Sequence, residues 1–256
     1  MSTPEVRPQS GHSVAGPLDA EAIYRFCIEH SAVEAVRSFN RDLAKRPLTQ
    51  DELRLFFASM AAFNRYTIAG IAILAGRMSD ELMPVLPTDA HAVSAHVLDA
   101  AADEYGLRET STHLELARDF AEYLGIGREE VENTEYACPS SVELGDLIGG
   151  WYRDRPVAFA LGVHTASEVT SVEEFVPWHD IFLKFPEYGL SPDAPAFAYM
   201  RAHYDHEPDH TTHSKQCVDR YLRALASDGR QVLAGCEAYL DRYETMFKEL
   251  TGRLFG

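Results

Sequence analysis

Beyond residue 18, apolar positions recur at intervals of three and four along most of the chain, the period of helices packed on one side. In 19–29 the spacing is carried by Ala20, Ile23, Tyr24 and Cys27. A second segment, 49–76, opens on the capping box Thr49-x-x-Glu52 and closes near Gly76. Its apolar set of Leu53, Phe56, Phe57, Met60, Phe63 and Ile71 covers more than one face, as in a helix at the centre of a bundle. Further helices are predicted over 88–105, 110–124, 140–152, 156–170, 173–184, 192–210 and 212–251. Between them stand Pro84 and Pro87, Gly106, Gly125 and Gly127, Pro139, Pro156, then Gly189, Pro192 and Pro195. No run alternates with period two, and no repeat of fixed length occurs. The pattern predicts an all-α, single-domain bundle of about eight helices over 18–256, its last helix spanning the whole bundle. Residues 1–17 carry Pro, Ser and Gly but no apolar run, and read as a disordered leader rather than a signal peptide.

Composition narrows the class of function. The 256 residues include 23 Lys and Arg against 40 Asp and Glu, a net charge of −17 with histidine neutral. Such a surface repels phosphate backbones, so nucleic acid is excluded as an expected partner. The most apolar run, 66–76, is flanked by Arg65 and Arg77 and is about half the ~20 residues that a bilayer requires. No membrane is expected. Cys27, Cys138, Cys217 and Cys236 lie far apart with no Cys-x-x-Cys pair, which fits a reducing cytoplasm rather than a zinc ribbon or a disulfide scaffold.

The chemistry concentrates in the histidines. His203, His206, His210 and His213 fall within eleven residues. His203, Glu207 and His210, at offsets of four and seven, lie within about 40° of one another on a helix. Two imidazoles and a carboxylate on one face make half of a mixed nitrogen and oxygen metal site. Pro208 is awkward there, since it removes one backbone hydrogen bond. His206 and His213 offer a second register at offset seven. The bland alternative is a solvated face on which the histidines are incidental. In bundles the remaining ligands come from facing helices. His113 is one candidate. Glu109, four residues before it, shares its face on a continuous helix, whereas Glu104 requires the chain to turn at Gly106. Glu168, in an otherwise apolar segment, needs a partner if buried.

The order DEYG (103–106), His113, Glu168, then His203-x3-Glu207-x2-His210 resembles the haem-oxygenase-like di-iron oxidases. These share their bundle with thiaminase-type and PQQ-synthesis-type helical proteins. The resemblance covers about residues 30–215, and the gaps of 55 residues from His113 to Glu168 and 35 from Glu168 to His203 suit it. It departs in having Glu207 where Asp is usual, followed by Pro208. The resemblance implies two Fe(II) ions and O2 as cofactors. One iron would take Glu104, His113 and His210, or a permutation of these, the other His203 and Glu207, with Glu168 bridging. It prefers Glu104 over Glu109, whereas helical geometry alone prefers Glu109.

The resemblance further implies a small-molecule substrate from secondary metabolism, a fatty acid, amino acid or amine. Members that oxidise amine nitrogen add a carboxylate ligand from the helix before the first ligand helix, and 53–77 contains no Asp or Glu. The expectation is therefore oxidative C–C fragmentation of an aliphatic amino acid or fatty acid to a terminal alkene, with N-oxygenation as the alternative. Arg65, in the helix expected to wall the pocket, is a candidate for holding a substrate carboxylate or else forms a structural salt bridge. An external electron donor and a homodimer complete the expected partners. Two other readings compete. One is a metal-free thiaminase-type enzyme, for which Cys217 is the nearest nucleophile. The other is a non-enzymatic helical partner protein.

Overall fold

The computed structural model describes residues 18–107 and 111–256, without the side chains of Glu207 and Pro208. The leader read over 1–17 and the candidate ligand Glu109 lie outside the described residues, as does the side chain of Glu207. The described residues form eleven α-helices and no strand, so the all-α reading stands and the count of about eight does not.

Helix α1 (Ala20–Glu29) starts on Asp19, whose side chain accepts the Ala22 N–H at 2.8 Å. Helix α2 (Ser31–Leu43) follows after one residue, because His30 Nδ1 accepts the Ala32 N–H and caps a new start. The predicted helix 49–76 is two, α3 (Gln50–Asn64) and α4 (Thr67–Leu82). The Thr49–Glu52 capping box is present, but the backbone leaves the helix at Tyr66 (φ −112°, ψ −2°). The stretch Gln50–Leu82 is long and apolar enough by composition to cross a membrane, but half of its most apolar window is buried inside the protein.

Helix α5 (Ala90–Glu104) ends in a Schellman motif: Leu107 N–H donates to the Ala102 carbonyl and Gly106 N–H to the Asp103 carbonyl. The motif needs a left-handed residue, and Gly106 supplies it at φ +70°. Helix α6 (His113–Tyr123) restarts the chain on a second capping box, Thr112 with Glu115. The short α7 (Arg128–Glu132) and α8 (Pro139–Asp154) lead to α9 (Val157–Lys184).

Helix α9 merges the predicted 156–170 and 173–184. No breaker separates them, and Pro177 is tolerated inside because the Glu173 carbonyl that it leaves without a backbone donor accepts Asn40 Nδ2–H at 2.7 Å. Helix α10 (Ala198–Ala224) likewise runs through the expected boundary at 211. The chain breaks instead at Ala226-Ser227-Asp228-Gly229, where Asp228 accepts the Tyr221 hydroxyl at 3.1 Å. Helix α11 (Gly229–Phe255) closes the bundle.

The core gathers around α9. Phe39 packs edge to face on Phe247 and Phe56 on Trp178, with ring centroids 5.3 Å and 5.1 Å apart, while Phe39 and Phe56 stack in parallel. The buried indole N–H is satisfied by Asn40 Oδ1 at 2.8 Å. Helices α9 and α11 cross in near backbone contact through reciprocal glycines. A Cβ at Gly162 would lie 1.9 Å from the Val232 carbonyl oxygen, and one at Gly235 would lie 2.0 Å from that of Phe159. This close crossing holds the middle of α9 against the bundle, where Glu168 faces α5 and α10.

Candidate metal centre

Four helices and one turn bring the titratable groups together. The Schellman turn ending α5 and the Thr112 cap starting α6 fold Glu104 back onto His113, with Nδ1 3.4 Å from Oε1. From α10, His203 Nε2 reaches within 3.9 Å of the same Glu104 oxygen. One ligand atom from each of Glu104, His113 and His203 lies within 4.8 Å of the others. His203 is oriented from two sides. Its Nδ1 bonds the Tyr199 carbonyl at 2.9 Å, and its ring stacks on Phe175 at 3.8 Å between centroids. With the proton held on Nδ1, the Nε2 lone pair faces the cluster, the second-shell arrangement common for metal-binding imidazoles.

A second group adjoins the first. Asp103 is fully buried, and its Oδ2 lies 3.1 Å from His206 Nδ1 and 3.3 Å from His210 Nε2. His210 Nδ1 is 3.8 Å from Glu168 Oε2, while Glu168 Oε1 is 3.4 Å from His164 Nδ1. His164 Nδ1 is buried and has no hydrogen-bond partner among the described residues.

The electrostatics follow from burial and neighbours. Burial pushes the Glu168 carboxyl up to about 7. Burial would also raise Glu104 and Asp103, but the surrounding imidazoles outweigh it and hold both below the usual carboxylate range. Burial drives His203 down to about 3, aided by His113, and His164 down to about 3, aided by His210. His210 resists burial because Asp103 and Glu168 stabilise its charged form, and it rises. Neutral His203 beside anionic Glu104 is the protonation state that a cation requires of its ligands, whereas His210 and Glu168 must each give up a proton to bind one. Three carboxylates and several imidazoles, with no thiolate, match iron or manganese chemistry. The residues fit such an ion.

Of the sequence candidates, the structure brings together Glu104, His113, Glu168, His203 and His210. It sets His203, rather than His210, beside Glu104 and His113, and pairs His210 with Glu168. Sequence reasoning missed Asp103 and His164 as members of the cluster and offered His206 only in a second register with His213. Asp103 was visible only as the other half of the Asp-Glu doublet at the end of α5. His164 carried a signal in its offset of four from Glu168. His213 instead faces Asp99, with Nδ1 3.6 Å from Oδ2.

The cluster opens onto a cavity between α3, α4, α6, α9 and α10. Its other walls are largely apolar, with Phe57, Met60, Ile68 and Ile71 from α3 and α4 and Phe175 and Met200 opposite, interrupted by Asn64, Thr67, Arg118, Ser167, Ser171 and Glu174. Arg65 is not among the residues that line it. It pairs with Asp146, and its guanidinium lies 5.0 Å from the centre of the Tyr66 ring. Cys217 is fully buried outside this lining, its sulfur 3.5 Å from the Val93 carbonyl oxygen, and burial pushes its thiol up to about 12. It is not an activated nucleophile.

Comparison with known structures places the fold. A CADD-like protein of unknown function from Nostoc punctiforme superposes with a TM-score of 0.67 at 17% identity, covering 92% of this chain and 96% of its own. A domain of unknown function with a heme oxygenase-like fold from Shewanella denitrificans gives 0.62 at 14% identity, covering 91% and 89%. No curated protein matches the chain. The model of a family described as iron-containing redox enzymes matches residues 54–244, a span that contains every residue of the cluster. This chain, a helical bundle with a heme oxygenase-like fold, therefore belongs to the family of iron-containing redox enzymes.

Proposed function

We propose that the protein is an O2-dependent di-iron oxidase acting on a small aliphatic amino acid or fatty acid. In this reading it removes hydrogen from carbon and cleaves a C–C bond to leave a terminal alkene. The observation that carries the reading is the pair of adjoining groups, Glu104, His113 and His203 beside Asp103, Glu168 and His210, at the floor of an apolar cavity. Glu104, His113 and His203 would hold one ion. His210 and Asp103 would hold the second with Glu207, and Glu168 would lie between. Two Fe(II) ions bound there supply the electrons for O2 activation.

The chain's own residues do the rest. Tyr199 fixes the His203 tautomer through its carbonyl, and Phe175 holds the ring plane. Asp103 orients both His206 and His210. Glu168 holds a proton near neutrality and releases it when a cation arrives, so ion binding is favoured as pH rises. The apolar walls exclude water from a reactive centre and seat an alkyl chain. The described lining residues of α3 and α4 include no carboxylate, which favours carbon over nitrogen oxidation on the family resemblance.

The test has two parts. Anaerobic Fe(II) titration is expected to reach near two irons per chain. Retention of no iron removes the proposal and favours a metal-free or non-enzymatic role. With iron bound, substrates that speed O2 consumption are assayed with deuterium at the carbon β to the carboxylate or amine-bearing carbon. A terminal alkene and slower turnover are expected, whereas a hydroxylamine or nitro product without an isotope effect selects N-oxygenation.

A further inference from the structure

Arg118 is the only Lys or Arg among the described residues that line the cavity. It lies on α6, five residues after His113, one stripe over from Ala117 and in line with Leu114, all of which also line the space. Its side chain is about one-quarter exposed, and one terminal nitrogen pairs with Glu132 Oε1 at 2.5 Å. Glu132 is itself more than half exposed, on the outer side of α7. The Nε of Arg118 is buried and makes no hydrogen bond among the described residues. A permanent cation with spare planar donors, set beside the apolar lining residues Leu114, Ala117 and Val131, is matched by a carboxylate that can accept a forked pair of hydrogen bonds. Phe57, Met60, Ile68 and Ile71 offer the chain of such a ligand an apolar surface. The cluster's carboxylates already face imidazoles, so an incoming carboxylate is better received at Arg118 than beside them.

We propose that Arg118, rather than Arg65, anchors the carboxylate of an aliphatic substrate in this cavity and directs its chain toward the cluster. This rests on the oxidase reading for its meaning, but it is tested on binding alone. Isothermal titration of metal-free protein would use three chain-matched probes: octanoate, L-2-aminooctanoate and the neutral octanamide. Wild type is expected to bind at least one carboxylate about tenfold or more tightly than the amide. Arg118→Gln is expected to lose that preference while keeping its affinity for the amide, its circular dichroism and its Fe(II) stoichiometry. The ratio of octanoate to L-2-aminooctanoate then separates a fatty-acid from an amino-acid site. Equal binding of acids and amide by wild type overturns the proposal, as does failure to bind either acid. Loss on Arg65→Gln instead of Arg118→Gln overturns it in favour of Arg65. Failure of Fe(II) loading with carboxylate binding intact would defeat the oxidase reading and leave this one standing.

Discussion

Glu174 offers the sharpest physical test, because its environment has one dominant cause. It sits on α9 with about 2% of its surface exposed, lines the cavity, and accepts a hydrogen bond from the Tyr243 hydroxyl. Burial pushes its carboxyl up to about 8 from an ordinary 4.5, and only the Tyr243 hydrogen bond works against the shift. Below about pH 4.5 the group is protonated in both folded and unfolded chains and has no effect on their balance. Above that, the unfolded chain releases the proton while the folded one keeps it, so stability falls until about pH 8 and is then level. The separation between about 8 and 4.5, at about 1.4 kcal/mol per pH unit, amounts to on the order of 4–5 kcal/mol. Between about pH 5.5 and about pH 8.5 the part lost is about 3 kcal/mol. Glu174→Gln removes the titration but keeps a carbonyl oxygen for the Tyr243 hydroxyl. Urea unfolding of both metal-free proteins across this range cancels every other titrating group. The variant is expected to gain about 3 kcal/mol on wild type as pH rises. Parallel curves, differing by a constant across the range, would refute the claim that Glu174 is held neutral by burial.

Other changes test the cluster and the packing beneath it. His203→Ala or His210→Ala is expected to lose at least one iron per chain by metal analysis while circular dichroism keeps its helical signal; two irons retained in both would displace the ligand assignment. Asp103→Asn is expected to weaken the second iron selectively and to lower the pKa of His210 in an NMR titration, since the carboxylate that stabilises its charged form is gone. Glu104→Ala is expected to lose iron and Glu109→Ala to keep it, and the reverse result would make Glu109 the ligand in place of Glu104. Gly235→Ala places a methyl against the Phe159 carbonyl and is expected to cost about 1–3 kcal/mol in thermal unfolding, without altering iron stoichiometry if the strain stays local.

Helix type was legible along the chain because the three-and-four spacing of apolar residues and the Thr49 cap are local facts. Helix number was not. Whether the chain breaks at 65–66 or at 211, and whether Pro177 ends a helix, depends on neighbours that a window of sequence does not contain. Tertiary packing kept α9 intact through Pro177 and α10 intact through 211, while α10 ends at Ala224 before a turn at 226–229 that the predicted helix 212–251 ran through.

The chemistry divides in the same way. The sequence by itself determined the inventory: a His203-x3-Glu207-x2-His210 face, His113, and a lone Glu168 in an apolar helix, because residue type and helical offset are properties of one segment. The tertiary structure alone decided the pairing. Glu104 and His113 meet only because Gly106 takes a left-handed turn between two helices. Asp103 and His206 join the cluster only because α5 and α10 pack side by side. Arg118 rather than Arg65 lines the cavity because the turn at Tyr66 carries Arg65 to Asp146, whereas α6 turns Arg118 inward. Offsets within a helix fix directions on that helix, but which directions converge is set by how the helices pack.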